Sequence, residues 1–347
     1  MELRGPSVAG LVDPGSWRGR RVLVTGHTGF KGSWLALWLS ELGAVPLGLA
    51  LDPPSTPSLY EEARIGELVD ERRVDVRDRD GVQRAVRELE PEVVFHMAAQ
   101  PLVRRSFANP VETYEVNVMG TAHVLEACGD AAMVVVVTSD KCYAPRGDGA
   151  ACVEGDPLGG DDPYSSSKAA AELVAATWRS SFGASGPSIA TARAGNVIGG
   201  GDWAEDRLIP DAMRAALGGR PLLVRNPDAV RPWQHVLNPL AGYLLLAERA
   251  DAAEAWNFGP DPGDELPVRD VVERIGARWG DGFEWRAEED GGPPETAVLR
   301  LDSTKARERL GWAPALNLDE ALAATVEWFR SDDPREASLR QIRAFTR

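Results

Sequence analysis

Tyr164 and Lys168 stand four residues apart at the head of DPYSSSKAAAELVAATWRSSF, a run with helical spacing, so both side chains share one helix face. An ammonium beside a phenol favours the phenolate and lowers the tyrosine pKa towards working pH. Such a pair can take a proton from an alcohol while a hydride leaves the same carbon. The spacing also arises on ordinary helix faces, so the reading needs support elsewhere. Two features upstream supply it: Ser139, which ends the apolar run AAMVVVVTS, and a glycine loop near the N-terminus.

The loop follows the β-rich run RRVLVTG and reads Thr25-Gly26-His27-Thr28-Gly29-Phe30-Lys31-Gly32. Its glycines fall at GxxGxxG between a strand and a helix, which is where a dinucleotide diphosphate sits on a helix N-terminus. Gly26 would make the tight turn, Gly29 would admit the diphosphate, and Gly32 would let helix and strand pack closely. His27, Thr28, Phe30 and Lys31 complete the candidate cofactor loop. Asp52 follows the second strand, where a carboxylate accepts from an adenosine ribose and repels a 2′-phosphate, which favours NAD over NADP. A turn aspartate before Pro53-Pro54 fits the same residue. In Val74-Asp75-Val76, Asp75 and Val76 could reach the adenine, or could form a surface turn.

These groups need a scaffold that brings strand ends together. AVPLGLALD, EVVFHMAA, AAMVVVVTS and PSIATARAG read as further buried strands. Helical segments lie between them: GSWLALWLSELG, closed by Gly43; DGVQRAVRELE; NPVETYEVNVMGTAHVLEAC; and the helix of Tyr164. Strands apolar throughout, alternating with helices, predict an α/β fold of the Rossmann type, a doubly wound parallel sheet covered on both faces. After about residue 200 the pattern loosens into a smaller, irregular α/β lobe. There RLIPDAMRAAL, LAGYLLLAERA and DEALAATVEWFRS look helical, and LLVRN and AWNFG look like short strands. The expected organisation is a loose tail over 1–18, a mainly cofactor-binding domain over 19–200 and a mainly substrate-binding lobe over 201–347, the two interleaving.

The 347 residues carry a formal charge of −15, which repels nucleic-acid phosphates and argues against a polynucleotide partner. Cys128, Cys142 and Cys152 have no metal-binding spacing, and the chain has only four histidines, so neither a metal nor a disulfide framework is expected. No segment has the length of a membrane span or the apolar run of a secretory signal. A cytoplasmic protein with free thiols is expected.

TGHTGFKGSWL, HMAAQPLV, NVMGT, VTSDKCY, YSSSK, RAGNVIGGGDW and RPWQHV follow one another in the order seen in extended short-chain dehydrogenase/reductases. Within that superfamily the chain most resembles the CDP-glucose 4,6-dehydratases, from about Gly19 to about Phe329. The resemblance implies a redox cycle with retained NAD on a nucleotide sugar. Tyr164 would deprotonate the sugar 4-hydroxyl while the C4 hydride passes to NAD. The 4-ketone would acidify C5–H, water would leave across C5 and C6, and the hydride would return to C6.

Residue roles follow from the same resemblance. Ser139 would bond the 4-oxygen, Asp140 would protonate the departing 6-hydroxyl, and Lys141, where related dTDP-glucose dehydratases carry glutamate, would serve the C5 proton. Adjacent residues on a continuing strand face opposite ways, so Asp140 and Lys141 require a loop there. Ala98, Ala99 and Gln100 of HMAAQ would line the cofactor, and Asn117 would brace sheet and helix. Asn196, Arg207 with Leu208, and Arg231, placed just before a helix, would meet the sugar-nucleotide diphosphate; a surface ion pair is the other reading of Arg231. His235 reads as a packed histidine. Segment 144–155 departs from the family's aromatic-rich loop. A homodimer through the helices near 110–127 and 164–182 is also implied. The remaining alternatives are a 4-epimerase, a dehydratase for another nucleotide sugar, and a non-catalytic NAD-binding scaffold.

Overall fold

The computed structural model describes residues 11–288 and 298–346. Seven strands form one parallel sheet: β1 Arg21–Thr25, β2 Val45–Ala50, β3 Asp70–Arg73, β4 Val93–His96, β5 Met133–Val137, β6 Ser188–Arg193 and β7 Ala255–Asn257. Their order is β7-β6-β5-β4-β1-β2-β3, so the direction of winding reverses between β1 and β4. In such sheets ligands bind beyond the carboxyl ends of the strands at that reversal.

Successive residues of each strand feed opposite layers. Leu23, Val94, Val134 and Ile189 meet α2 (Arg79–Leu89), α3 (Gly120–Ala127) and α4 (Pro163–Phe182), through Val82, Val86, Val124 and Ala175. Val22, Val24, Phe95 and Val135 face α1 (Phe30–Glu41) on the other side. Both faces being covered explains why MVVVV is apolar without alternation. Helix α1 is itself wrapped, with every residue from Gly32 to Leu39 buried.

The later chain supplies that wrapping. It contains α5 (Leu208–Leu217), α6 (Leu237–Ala247), α7 (Val268–Trp279), α8 (Leu318–Phe329) and α9 (Pro334–Phe345). Among the described residues three two-stranded pieces accompany them, and the chain returns to the main sheet as β7. Phe345 of α9 meets Trp38 of α1 edge-on, with ring centres 5.5 Å apart.

Three details differ from expectation. RPWQHV is extended: Val230–Pro232 pairs with Glu265–Pro267, Gln234–His235 pairs with Val197–Ile198, and the helix starts only at Leu237. Pro232 holds Arg231 out of the helical region, which explains the shift. The helix over 110–127 carries a π-helical turn at Glu115–Met119. Residues 11–18 are docked, because Trp17 is fully buried and its indole donates to Glu248 at 2.5 Å; the rest of the expected tail, 1–10, lies outside the described residues.

Candidate active site

Gly26 adopts φ +75°, and a side chain there would stand 2.9 Å from the backbone of Ala98. At Gly32 a Cβ would lie 2.2 Å from the carbonyl oxygen of Gly26, so the first turn of α1 rests directly on the loop. Gly29 is different: the nearest atom to a Cβ there is 3.4 Å away. No side chain caps α1, leaving first-turn N–H groups for an anion over the loop. This cradle fits a dinucleotide diphosphate.

Thr25 ties the cradle to the neighbouring strand. Its hydroxyl oxygen accepts from the N–H groups of Met97 and Ala98, both at 3.1 Å, and lies 2.8 Å from His96 Nδ1. Ala98 and Ala99 therefore flank the glycine loop. Thr28 donates to the Leu51 carbonyl at 3.0 Å, beside Asp52. Asp52 is 91% exposed and 3.5 Å from Arg73 Nε, open to a ligand. The His27 ring is turned away from that opening. It is fully buried over Gly48 and bonded to Glu71 at 2.6 Å, so only its backbone borders the loop. Asp75 is forked onto Arg77, whose guanidinium holds the carboxyl below its ordinary range, and Val76 packs against Gly120.

Asn117, in the π-helical turn, links three elements. Its carboxamide accepts from Gln100 N at 2.8 Å and donates to Gln100 O and to Ser167, and the Ser167 hydroxyl donates to Tyr164 O. The Gln100 side chain braces the same loop through Leu102 and Thr113.

At the end of β5 the chain leaves the strand at Ser139 and closes a 3₁₀ turn, Asp140–Cys142, which frees Asp140 and Lys141 from strict alternation. Ser139 donates to Asp140 Oδ1 at 3.0 Å and hydrogen-bonds the Tyr164 phenol. Asp140 Oδ2 is buried without a hydrogen-bond partner. Tyr164 is the second residue of α4, whose start is fixed by Asp162 accepting from Ser165 N.

One electrostatic expectation is corrected. Burial pushes the Tyr164 phenol up to about 12, with Asp140 and Asp162 adding to the shift and the Ser139 bond and Arg207 opposing it. The Lys168 ammonium donates to the Val137 carbonyl at 3.3 Å. Burial brings Lys168 itself down to about 8.

The chain uses four lysines against thirty-four arginines, and three of the four, Lys31, Lys141 and Lys168, belong to these motifs. Lysine, unlike arginine, changes protonation readily when buried. Lys31 is brought down to about 7 by burial, with Lys168 and Arg207 adding repulsion. It makes no hydrogen bond with a described residue, and its ammonium lies 6.0 Å from the centre of the Tyr243 ring.

On the later chain, Asn196 sits just beyond β6 with φ +38°, a sparsely populated conformation for a residue with a side chain. Arg207 precedes α5, which begins at Leu208, and pairs with the buried Asp202 at 3.1 Å. Its charge reaches Tyr164 and Lys31. Arg231 is buried in its strand and donates to Val230 O. His235 is fully buried and neutral, pushed down to about 3.

Sequence reasoning passed over Asp202, Glu172 and Arg193. Glu172 alone had a local signal, a carboxylate one helical turn beyond Lys168. Among the described residues no group of three or more His, Cys, Asp or Glu side chains could hold a metal ion, and no helix is long and apolar enough to cross a membrane.

The family model described as GDP-mannose 4,6 dehydratase matches residues 23–325. A CDP-glucose 4,6-dehydratase of Salmonella typhimurium is 47% identical over 350 residues, spanning 96% of this chain and 98% of that protein. Among solved structures, a dTDP-glucose 4,6-dehydratase of Streptomyces venezuelae with NAD bound aligns at TM-score 0.76 and 27% identity, over 90% of this chain and 97% of that one. A UDP-glucose 4-epimerase of Thermus thermophilus, also with NAD, aligns at TM-score 0.78 and 28% identity, over 90% and 99%. The glycine cradle, the Ser139 turn and the Tyr164–Lys168 helix thus stand in a chain that belongs to the GDP-mannose 4,6 dehydratase family of extended short-chain dehydrogenase/reductases.

Proposed function

We propose that this protein is an NAD-dependent nucleotide-sugar 4,6-dehydratase that converts CDP-glucose to CDP-4-keto-6-deoxyglucose. The observation that carries the reading is Asp140: a buried carboxylate oxygen without a partner, on a turn that also bonds toward Tyr164. A 4-epimerase has the Tyr-Lys pair but no task for a second acid at C6. The substrate class is supported by the 47% identical relative.

Tyr164 takes the proton of the 4-hydroxyl, and Ser139 steadies the oxygen as it becomes a ketone. NAD, when bound, supplies a hydride acceptor for C4, a hydride donor for C6 and a positive ring charge that favours the Tyr164 phenolate. Lys141 removes the C5 proton, Asp140 protonates the leaving 6-hydroxyl, and one water departs. C5 recovers a proton as C6 regains hydrogen, so the product differs from substrate by one water.

The glycine loop of Gly26, Gly29 and Gly32 takes the NAD diphosphate, with Thr28, Phe30 and Lys31 beside it, and Asp52 takes the adenosine ribose. Asp75 and Val76 stand toward the adenine, and Ala98, Ala99 and Gln100 line the nicotinamide side with Lys168. Asn196, Arg207, Leu208 and Arg231 take the sugar-nucleotide diphosphate. Residues 19–200 mainly hold NAD, retained through the cycle, and 201–347 mainly hold the nucleotide sugar. Free Cys128, Cys142 and Cys152 suit a cytoplasmic setting. Exposed Val111, Tyr114, Met119, Leu173 and Phe182 on the 110–127 and 164–182 helices support a homodimer through a four-helix bundle.

The test is incubation with CDP-glucose deuterated at C4. Loss of one water with deuterium appearing at C6 is expected. Unchanged CDP-glucose from protein that binds NAD would exclude this substrate, and deuterium retained at C4 of an epimer would move the protein to the epimerases.

A further inference from the structure

A second charged centre lies behind the catalytic turn. Glu172 and Arg193 form an ion pair at 2.7 Å, with only 2% and 3% of their side chains exposed. Each oxygen of the carboxylate has a separate task. Oε1 accepts from the Thr138 hydroxyl at 2.5 Å, and Oε2 accepts from Thr191 and Arg193, both at 2.7 Å. Arg193 continues outward, donating to the Tyr143 hydroxyl at 2.8 Å and to the Glu154 carbonyl at 3.1 Å. Tyr143 in turn donates to Asn257 on β7 at 2.6 Å.

The placement of this centre matters more than its strength. Glu172 lies on α4, one turn beyond Lys168 and two beyond Tyr164. Thr138 lies on the other half of the site, immediately before Ser139, Asp140 and Lys141, and Lys168 itself bonds Val137. The Glu172–Thr138 bond therefore joins the helix that carries the proton acceptor to the turn that carries the elimination groups. Arg193 extends the same fixation to Tyr143 and to the backbone of Glu154.

Resting on the dehydratase reading, we propose that Glu172 and Arg193 are positioning residues: Glu172 sets the register between the Tyr164–Lys168 helix and the Ser139–Lys141 turn and is the counter-charge of Lys168, and Arg193 holds that carboxylate in place. Electrostatics agree. Burial lowers the Lys168 pKa, and Glu172 is the largest influence opposing it, with Cys142 of the catalytic turn second. The other titratable neighbours are Lys31 on α1, which repels Lys168, and His96 on β4, which burial keeps neutral.

The test uses protein labelled at lysine Cε, which gives four signals to follow by NMR, with Lys168→Arg identifying its own. In the Glu172→Gln/Arg193→Gln double variant, which removes both members of the ion pair together, the Lys168 titration is expected to fall by about one unit. Lys305 stays put, kcat drops about tenfold or more, and KM holds within about twofold. A Lys168 titration and kcat equal to wild type would overturn the proposal. Should the double variant not fold, Thr138→Val decides, since it removes the link to the turn and leaves the Glu172–Arg193 pair in place. It is expected to lower kcat about tenfold without raising KM or moving the Lys168 titration, and an unchanged kcat would refute the register role. A wild-type protein inert towards CDP-glucose would sink the dehydratase reading alone, because the lysine titration judges the counter-charge without turnover.

Discussion

The Asp140 carboxylate fills the space that a side chain on residue 195 would need: a Cβ on Gly195 would stand 2.0 Å from Asp140 Oδ2. The backbone at 195 is not in the left-handed region, so this glycine is required by the close approach and not by its own conformation. Gly195→Ala forces one of two buried groups to move, and Asp140, held through its side chain by the Ser139 hydroxyl, gives way. A displacement of this size costs about a hundredfold in kcat. Steady-state turnover and NAD titration check this, with NAD affinity expected to stay constant; undiminished kcat would show that the carboxylate has no fixed task.

The three loop glycines separate by what surrounds them. Gly32→Ala drives a methyl into the Gly26 carbonyl, so both thermal stability and NAD affinity should fall, the melting temperature by several degrees for about 2 kcal/mol. Gly29→Ala meets nothing closer than 3.4 Å and should melt near wild type while losing about tenfold or more in NAD affinity. Tight NAD binding by the Gly29 variant would remove the diphosphate from the position assigned to it.

Tyr164→Phe deletes the proton acceptor with little change in volume. Turnover is expected to fall about a thousandfold, within the range for loss of a general base, while NAD binding persists. Fluorescence titration with NAD alongside product analysis distinguishes this from global damage, and a variant with near-normal kcat would retire Tyr164 as the base.

Lys31 and Lys168 titrate in the folded protein at about 7 and about 8. An unfolded lysine titrates near about 10.4. Between those limits the unfolded chain holds protons that the folded one lacks, so stability rises with pH. Below about 7 both states are charged and the full cost of burying the ammonium groups applies. Tyr164 acts in the other direction, but only above about 10, where an unfolded phenol ionises and the folded one does not. Ligand-free protein should therefore gain stability from pH 7 to 9, at up to about 1.4 kcal/mol per pH unit for each lysine. Urea midpoints for wild type and Lys31→Met check it: the variant should show the shallower rise, and parallel lines would mean that Lys31 titrates normally.

The parts of the site that the sequence made legible are those whose partners are close in the chain. The glycine spacing, the Tyr164–Lys168 step and the apolar strands each carry their signal within one element, and the sheet places them as their spacing implied. β3 is the counterexample among strands: its residues, Asp70–Arg73, are all charged, and an edge strand has too little burial to impose an apolar pattern. Arg193 went unseen because its partner lies on another element, and the one-turn step from Lys168 to Glu172 does not by itself reveal the pair. The raised Tyr164 phenol escaped notice for a related reason, since its cause is burial by other elements. Helical spacing puts Lys168 on the right face, but where its flexible ammonium points depends on Val137, which spacing cannot report.

Met119 and Leu173 remain half exposed, at 51% and 57%, although both sit on helices whose inner faces are well packed. With Val111 and Tyr114 they leave exposed apolar side chains on two adjacent helices. A second copy of the chain related by a two-fold axis would cover each set with the other. Met119→Glu/Leu173→Glu places like charges on both sides of that contact while leaving the buried faces of the helices intact. Sedimentation at micromolar concentration should then find wild type as a dimer and the variant as a monomer, with unchanged circular dichroism. A wild-type monomer under the same conditions would leave these side chains without this partner, and a dimeric variant would place the contact elsewhere on the molecule.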